Sequence, residues 1–296
     1  MSDFLCLVWK VEHGSAAFLK TPNDKTIMFD AGSSDDFSPA KHLSGQYNLN
    51  SINNKLDKLI ISHADRDHIS DLPYVYSLLK PRILSRNKAV SSDVLYPEGT
   101  TDLKDPLLTY KLMDDIYIHP ISQSDQSTPI SNWGDVFVEE FHCSPEQLKD
   151  CPEGSLRNNL SALSYVRCGD LEVVFPGDLE PLGWDALIEN TQIGQYVGQA
   201  KVRILIASHH GRSSGIRIGE EVYERFLNMM KPHIVIISDK WGNETTDPEA
   251  YKPYALGYSV YSNEEKKSEN TQILTTKSNK CVGLFVMSGV PFVVAY

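Results

Sequence analysis

Leu59-Ile60-Ile61-Ser62-His63-Ala64-Asp65-Arg66-Asp67-His68-Ile69-Ser70-Asp71-Leu72 decides how this chain is read. Lys58 to Ile61 is an apolar run with the length and β-branched content of a buried strand. Directly after it, four metal-capable side chains, His63, Asp65, Asp67 and His68, fall within six residues. A helix is expected to follow from Asp71 to Lys80. Two imidazoles and two carboxylates this close repel one another or strain a core unless a cation shares them. The plainer alternative is a loop of solvated charges in which Asp65 or Asp67 caps the helix. The density of ligand-type groups at the C-terminal end of a buried strand, where open sheets place their sites, favours metal.

Working outward, the same pattern recurs. The strand Glu172 to Phe175 ends in Pro176-Gly177-Asp178, and Val202 to Ala207 ends in Ser208-His209-His210-Gly211. Val136 to Phe141 leads into His142. Strands that deliver ligands at one end of a sheet can assemble a metal centre from distant sequence. Gly177 and Gly211 allow the backbone to approach closely there.

The remaining elements fit around these strands. Phe4–Val11, Ala16–Lys20 and Thr26–Asp30 read as three opening strands, the last leaving through Ala31-Gly32. Residues 38 to 48 suggest a helix capped by Ser38 with Pro39 at its first position. A hairpin is expected around Cys168-Gly169-Asp170. Helices are expected at Pro181–Glu189, Glu220–Met230 and Pro248–Leu256, and strands at Arg82–Leu84, His233–Ile237, Val282–Met287 and Pro291–Ala295. From about 86 to 131 periodicity weakens, which suggests an insertion facing substrate within one domain spanning 1–296.

Composition narrows the function. The chain has 296 residues and 41% hydrophobic content, enough for a substantial core. No apolar run reaches the ~18 residues of a membrane span, and the N-terminus lacks signal-peptide character. Five cysteines without a CxxC pair argue against a disulfide framework or a thiolate zinc site, so a reduced, cytoplasmic protein is expected. A net charge of −11 argues against a broad basic face for nucleic acid, though not against meeting phosphate through metal ions. No GxSxG elbow or nucleotide-binding glycine fingerprint competes. His13, His42, His119 and His233 read as surface or core residues, and Trp133, Trp184 and Trp241 as core or cleft.

HADRDH at 63–68, FPGDLE at 175–180 and IASHHG at 206–211, in this order and spacing, resemble the metallo-β-lactamase superfamily. Within it they are most similar to the ComEC-type soluble hydrolase domain of DNA-uptake channels and its free-standing relatives. FDAG at 29–32, NNLS at 158–161 and Lys231-Pro232 support the match. The resemblance implies an α/β fold, a four-layer αββα sandwich, with metals at one edge. It assigns His63 and Asp65 to one ion and Asp67 and His68 to a second, with Asp178 bridging and His142 in the place of the family's third histidine on the first ion. One of His209 and His210 would be the last ligand. If that stretch is extended, neighbouring side chains point opposite ways, which favours His210 as ligand and His209 as a catalytic group facing substrate. Asp65, where many relatives have His, hardens the first site toward Mn²⁺ or Mg²⁺, with Zn²⁺ still accommodated. Asp247 stands where relatives have a substrate-side histidine.

The implied activity is that of a metallo-hydrolase with two divalent ions, a phosphodiesterase or nuclease acting on DNA or a nucleotide, with Asp67 orienting the attacking water. The alternatives are hydrolysis of a lactone, thioester or lactam, or a subunit controlled by a protein partner from the same operon, as in a multi-protein defence system. No membrane partner is expected.

Overall fold

Residue parity along strands that are apolar throughout builds the layers. In Thr26–Phe29, Ile27 and Phe29 enter one core while Met28 enters another. In Val202–Ile206, Ile204 and Ile206 share the first core, and Leu205 faces the opposite way. Strands buried on both faces read as continuous hydrophobic runs. The computed structural model describes residues 4–47, 56–90, 105–118, 132–239 and 245–296.

Two sheets result. The larger runs in spatial order Lys267–Thr271, Tyr258–Ser262, Val290–Ala295, Cys281–Met287, Phe4–Trp9, Ala17–Lys20, Thr26–Phe29, Lys58–Ile60, Ile83–Ser85. The smaller runs Ile273–Thr275, Ile234–Ile237, Val202–Ile206, Leu171–Phe175, Leu163–Cys168, Val136–Phe141. Their inner faces meet in a core where the Phe29 and Phe175 rings stack with centroids 4.3 Å apart. Helices cover both outer faces, Leu43, Val75 and Leu79 on the larger sheet and Trp184, Leu187 and Phe226 on the smaller. This is the four-layer αββα sandwich that the resemblance implies.

Strand direction is what places the site. Thr26–Phe29 and Lys58–Ile60 run parallel in one sheet. Leu171–Phe175, Val202–Ile206 and Ile234–Ile237 run parallel in the other. Their C-terminal ends carry Asp30, His63, Asp178 and the His209-His210 pair to a common edge.

Several elements differ from expectation for identifiable reasons. The helix expected at Asp71–Lys80 is present over Leu72–Leu79, where an α-helical turn passes without a gap into a π-helical one that closes on Lys80 in the left-handed region, and a separate turn at Arg66–Ile69 precedes it. Neither Asp65 nor Asp67 caps it with a side chain. The acid that caps is Asp71, and it serves the neighbouring helix Pro39–Gln46: it accepts from Ala40 N and Ser38 Oγ at 2.7 and 2.6 Å. Burial pushes the Asp71 carboxyl up to about 6. Glu220–Met230 is helical only at Arg225–Met230, because Gly219 turns the preceding residues into a small hairpin. Glu264-Glu265-Lys266 lie in the exposed turn of a further hairpin. Within the expected insertion, Asp105 caps a helix, Pro106–Ile116, whose Tyr110 and Met113 join the outer core. Residues 91–104 and 119–131, with His119, and also Trp241 lie outside the described residues. Trp133 packs between the sheets, and Trp184 stacks on Phe226, so both belong to the core.

Candidate metal centre

Asp178 is the pivot. Its Oδ1 lies 3.0 Å from His68 Nε2 and 3.4 Å from His210 Nε2. Those two nitrogens are 3.1 Å apart, and His210 Nε2 is 3.3 Å from Asp67 Oδ2. Ligands about 2.0–2.2 Å from one ion leave neighbouring donor atoms roughly 3.0–3.5 Å apart. Asp67, His68, Asp178 and His210, whose donor atoms all lie within 4.8 Å of one another, are therefore spaced so that they could share one ion. The other carboxylate oxygen, Oδ2, faces His63 Nε2 at 3.7 Å and His209 Nε2 at 3.6 Å. Asp65 Oδ2 lies 3.9 Å from His63 Nε2.

Local structure explains how these groups meet. Gly177 has φ +61°, and a Cβ there would come within 2.7 Å of the Ser62 side chain, so only glycine lets the Asp178 strand end close against the His63 strand end. His209 and His210 were expected in extended backbone. Instead both occupy the left-handed region, φ 48° and 54°, followed by Gly211 at φ +77°. Two consecutive non-glycine residues there are costly and persist only where the surroundings fix them. A Cβ on Gly211 would strike Ile237, and His209 N donates to Gly177 O, which ties the turn to both neighbouring strands. The turn brings both imidazoles to Asp178, one to each oxygen.

Metal fits this donor set better than protons do. His63 Nε2 and Asp178 Oδ1 are buried with no hydrogen-bond partner among the described residues, an expensive state for polar atoms. Burial, reinforced by His68, lowers the His63 pKa to about 4, leaving a neutral imidazole with a free lone pair. Burial opposes charge on His68 as well, but Asp178 and Asp30 outweigh it and push its pKa well above the ordinary range. Burial also pushes Asp178 and Asp67 upward, yet the surrounding histidines dominate and hold both carboxyls well below their ordinary range. Among these four residues, Asp67 is on the solvent side, its side chain 36% exposed against 5% for Asp178.

Some contributors were not visible in the sequence. Asp30, itself at φ 54°, accepts from Ser62 N at 2.7 Å and sits 2.8 Å from His68 Nδ1. A carboxylate on the far nitrogen fixes a ligand imidazole's tautomer and orientation. Asp30→Asn should weaken metal binding about 10–100-fold with the fold intact by circular dichroism; unchanged affinity in calorimetric titration would refute that role. Glu180 lies 3.4 Å from His209 Nδ1. His13, read as surface or core, sits with its ring centroid 6.5 Å from that of His210. Arg157 pairs with Asp65, and Arg212 Nη1 reaches His209 Nε2 at 3.3 Å. The strand ending at Phe141 turns Phe141 and Cys143 inward, so His142 between them is exposed and is not brought to the cluster. Asp247 caps the helix at Pro248 and pairs with Arg217, a structural use.

Residues 9–110, about a third of the chain, match the model of the metallo-beta-lactamase superfamily. Over 197 residues, 66% of its length, it is 26% identical to ComE operon protein 3 of Bacillus subtilis (strain 168). The match covers 21% of that relative, so the chain spans about a fifth of its length. Among solved structures it is similar to a metallo-beta-lactamase superfamily chain from Thermotoga maritima, with TM-score 0.42 and 11% identity over 92% of this chain and 97% of that one. A metallo hydrolase from Ignicoccus hospitalis gives TM-score 0.42 and 12% identity over 94% and 98%. The Asp67, His68, Asp178 and His210 group is the candidate metal site. Among the described residues no helix is long and apolar enough to cross a membrane.

Proposed function

We propose that the chain is a dinuclear metallo-hydrolase of phosphodiester bonds, with DNA or a nucleotide as substrate. The observation that carries the substrate class is the pair of guanidinium groups at the lip of the cluster. Arg157 sits on Asp65, and Arg212 on His209. Arg212 Nε is buried and has no partner among the described residues. Planar, permanently charged donors suit the non-bridging oxygens of a phosphodiester, whereas a lactone or thioester carries no charge to meet them.

The ions, Mn²⁺ or Zn²⁺ with Mg²⁺ a third candidate, would acidify a water and neutralise charge on the phosphoryl oxygens. Asp67, the exposed carboxylate of the group, orients that water toward phosphorus. Asp30 and Ser62 hold the His68 ring in place from behind. Arg212 and Arg157 take the substrate's negative charge. An acidic chain that meets phosphate through so few groups recognises it locally rather than through a long electrostatic track.

The test is a matrix of Mn²⁺, Mg²⁺ and Zn²⁺ against plasmid DNA, RNA, bis-p-nitrophenyl phosphate and a panel of lactones. Turnover confined to the phosphodiesters and suppressed by chelator is expected. Turnover of lactones alone would replace the substrate class while leaving the metal centre standing.

A further inference from the structure

The resemblance gives the first ion a second imidazole from His142, a residue that the structure leaves exposed. Another imidazole stands where that ligand is needed. His209 Nε2 lies 3.6 Å from Asp178 Oδ2, on the same oxygen that His63 Nε2 approaches at 3.7 Å.

The hydrogen bonds around His209 fix which nitrogen carries its proton. Arg212 Nη1 can only donate, so His209 Nε2, 3.3 Å away, must accept and holds a lone pair. The proton is therefore on Nδ1, which faces Ser214 Oγ at 3.0 Å and Glu180 Oε1 at 3.4 Å. Glu180 is itself held by Asn158 Nδ2 at 3.0 Å. A carboxylate behind the imidazole with the lone pair pointing forward is the arrangement of a metal-bound histidine. That lone pair, which Arg212 holds here, lies 3.6 Å from the anionic Asp178 Oδ2, and an ion between the two would take Arg212's place on Nε2.

Resting on the two-ion reading above, we infer that His209 is a ligand of the first ion, taking the place of His142, and that Glu180 is its positioning residue. The first ion is then held by His63, Asp65, His209 and one oxygen of Asp178. The second is held by Asp67, His68, His210 and the other. The left-handed turn at 209–210 has a purpose in this scheme, since only a tight turn sends two adjacent side chains to the two sides of one carboxylate.

The test is metal stoichiometry, which does not depend on turnover. The full chain is stripped with chelator and titrated with Zn²⁺ by calorimetry, then with Co²⁺ by visible absorption. His209→Asn is the informative variant, because asparagine tolerates the left-handed backbone. Wild type and His142→Asn should each take up two ions. His209→Asn should keep one ion at wild-type affinity and bind the other at least about 10-fold more weakly, with loss of part of the Co²⁺ spectrum. Glu180→Gln should weaken the same ion by about 10–100-fold, the range for an orienting partner. Two ions of wild-type affinity in His209→Asn, or loss of an ion in His142→Asn, would overturn the inference and leave the two-ion reading intact. A wild-type chain that takes up no ion would overturn both.

Discussion

Asp178→Ala is expected to lose both ions and, with them, hydrolysis. The side chain gives one oxygen to His68 and His210 and the other to His63 and His209, so no other residue in the group touches both halves. Removing it leaves four imidazoles facing a cavity without the carboxylate that offsets their charge. Losing metal forfeits several kcal/mol of transition-state charge stabilisation, which at ~1.4 kcal/mol per tenfold is about a 10³-fold fall or more. Asp178→Asn keeps the shape and separates packing from charge: it should fold as wild type and remain inactive. Inductively coupled plasma analysis beside turnover measures both, and two ions retained in Asp178→Ala would refute the bridging role.

Asp67→Ala should fail in a different way. Its carboxylate is the most exposed of the second group, and a hydrogen bond to His210 ties it to the cluster. His68, His210 and Asp178 remain to hold an ion, so metal binding should weaken without vanishing. Turnover should fall about 10²–10⁴-fold, the range for a positioned group that handles the nucleophile's proton. The fall should persist at saturating Mn²⁺. Recovery of wild-type turnover at high metal would mean that Asp67 is a ligand alone and that another group orients the water.

How much of this could be read from sequence follows from how local each feature is. His63, Asp65, Asp67 and His68 are legible because they are consecutive and follow an apolar run. Asp178 and His210 are legible for a related reason, each marking the abrupt end of a buried strand. The fold's layers follow from the same runs, since strands buried on both faces need cover on both sides. The features that escaped depend on backbone that residue types do not announce. Asp30 reaches His68 only because it adopts a positive φ, and His209 shares the cluster only because the turn before Gly211 is left-handed. Extended geometry would have sent one of the two imidazoles away, and that assumption produced the expectation of a single ligand there.

His142 stands apart for a different reason. Its position after a strand matches the others in sequence, but Val136–Phe141 is the edge strand of the smaller sheet and pairs antiparallel with Leu163–Cys168. It runs in the same direction as Leu171–Phe175 and finishes at the same edge, but with Phe141 and Cys143 turned inward His142 is left exposed there. Helix Pro106–Ile116 was overlooked although Asp105-Pro106 is a sound start signal, because polar residues around it diluted the periodicity.

The most direct measurement is anomalous diffraction from crystals soaked in Mn²⁺. The account predicts two anomalous peaks on opposite sides of the Asp178 carboxylate, one contacted by Asp67, His68 and His210, the other by His63 and Asp65. An absence of both peaks at saturating Mn²⁺ and again at saturating Zn²⁺ would contradict it.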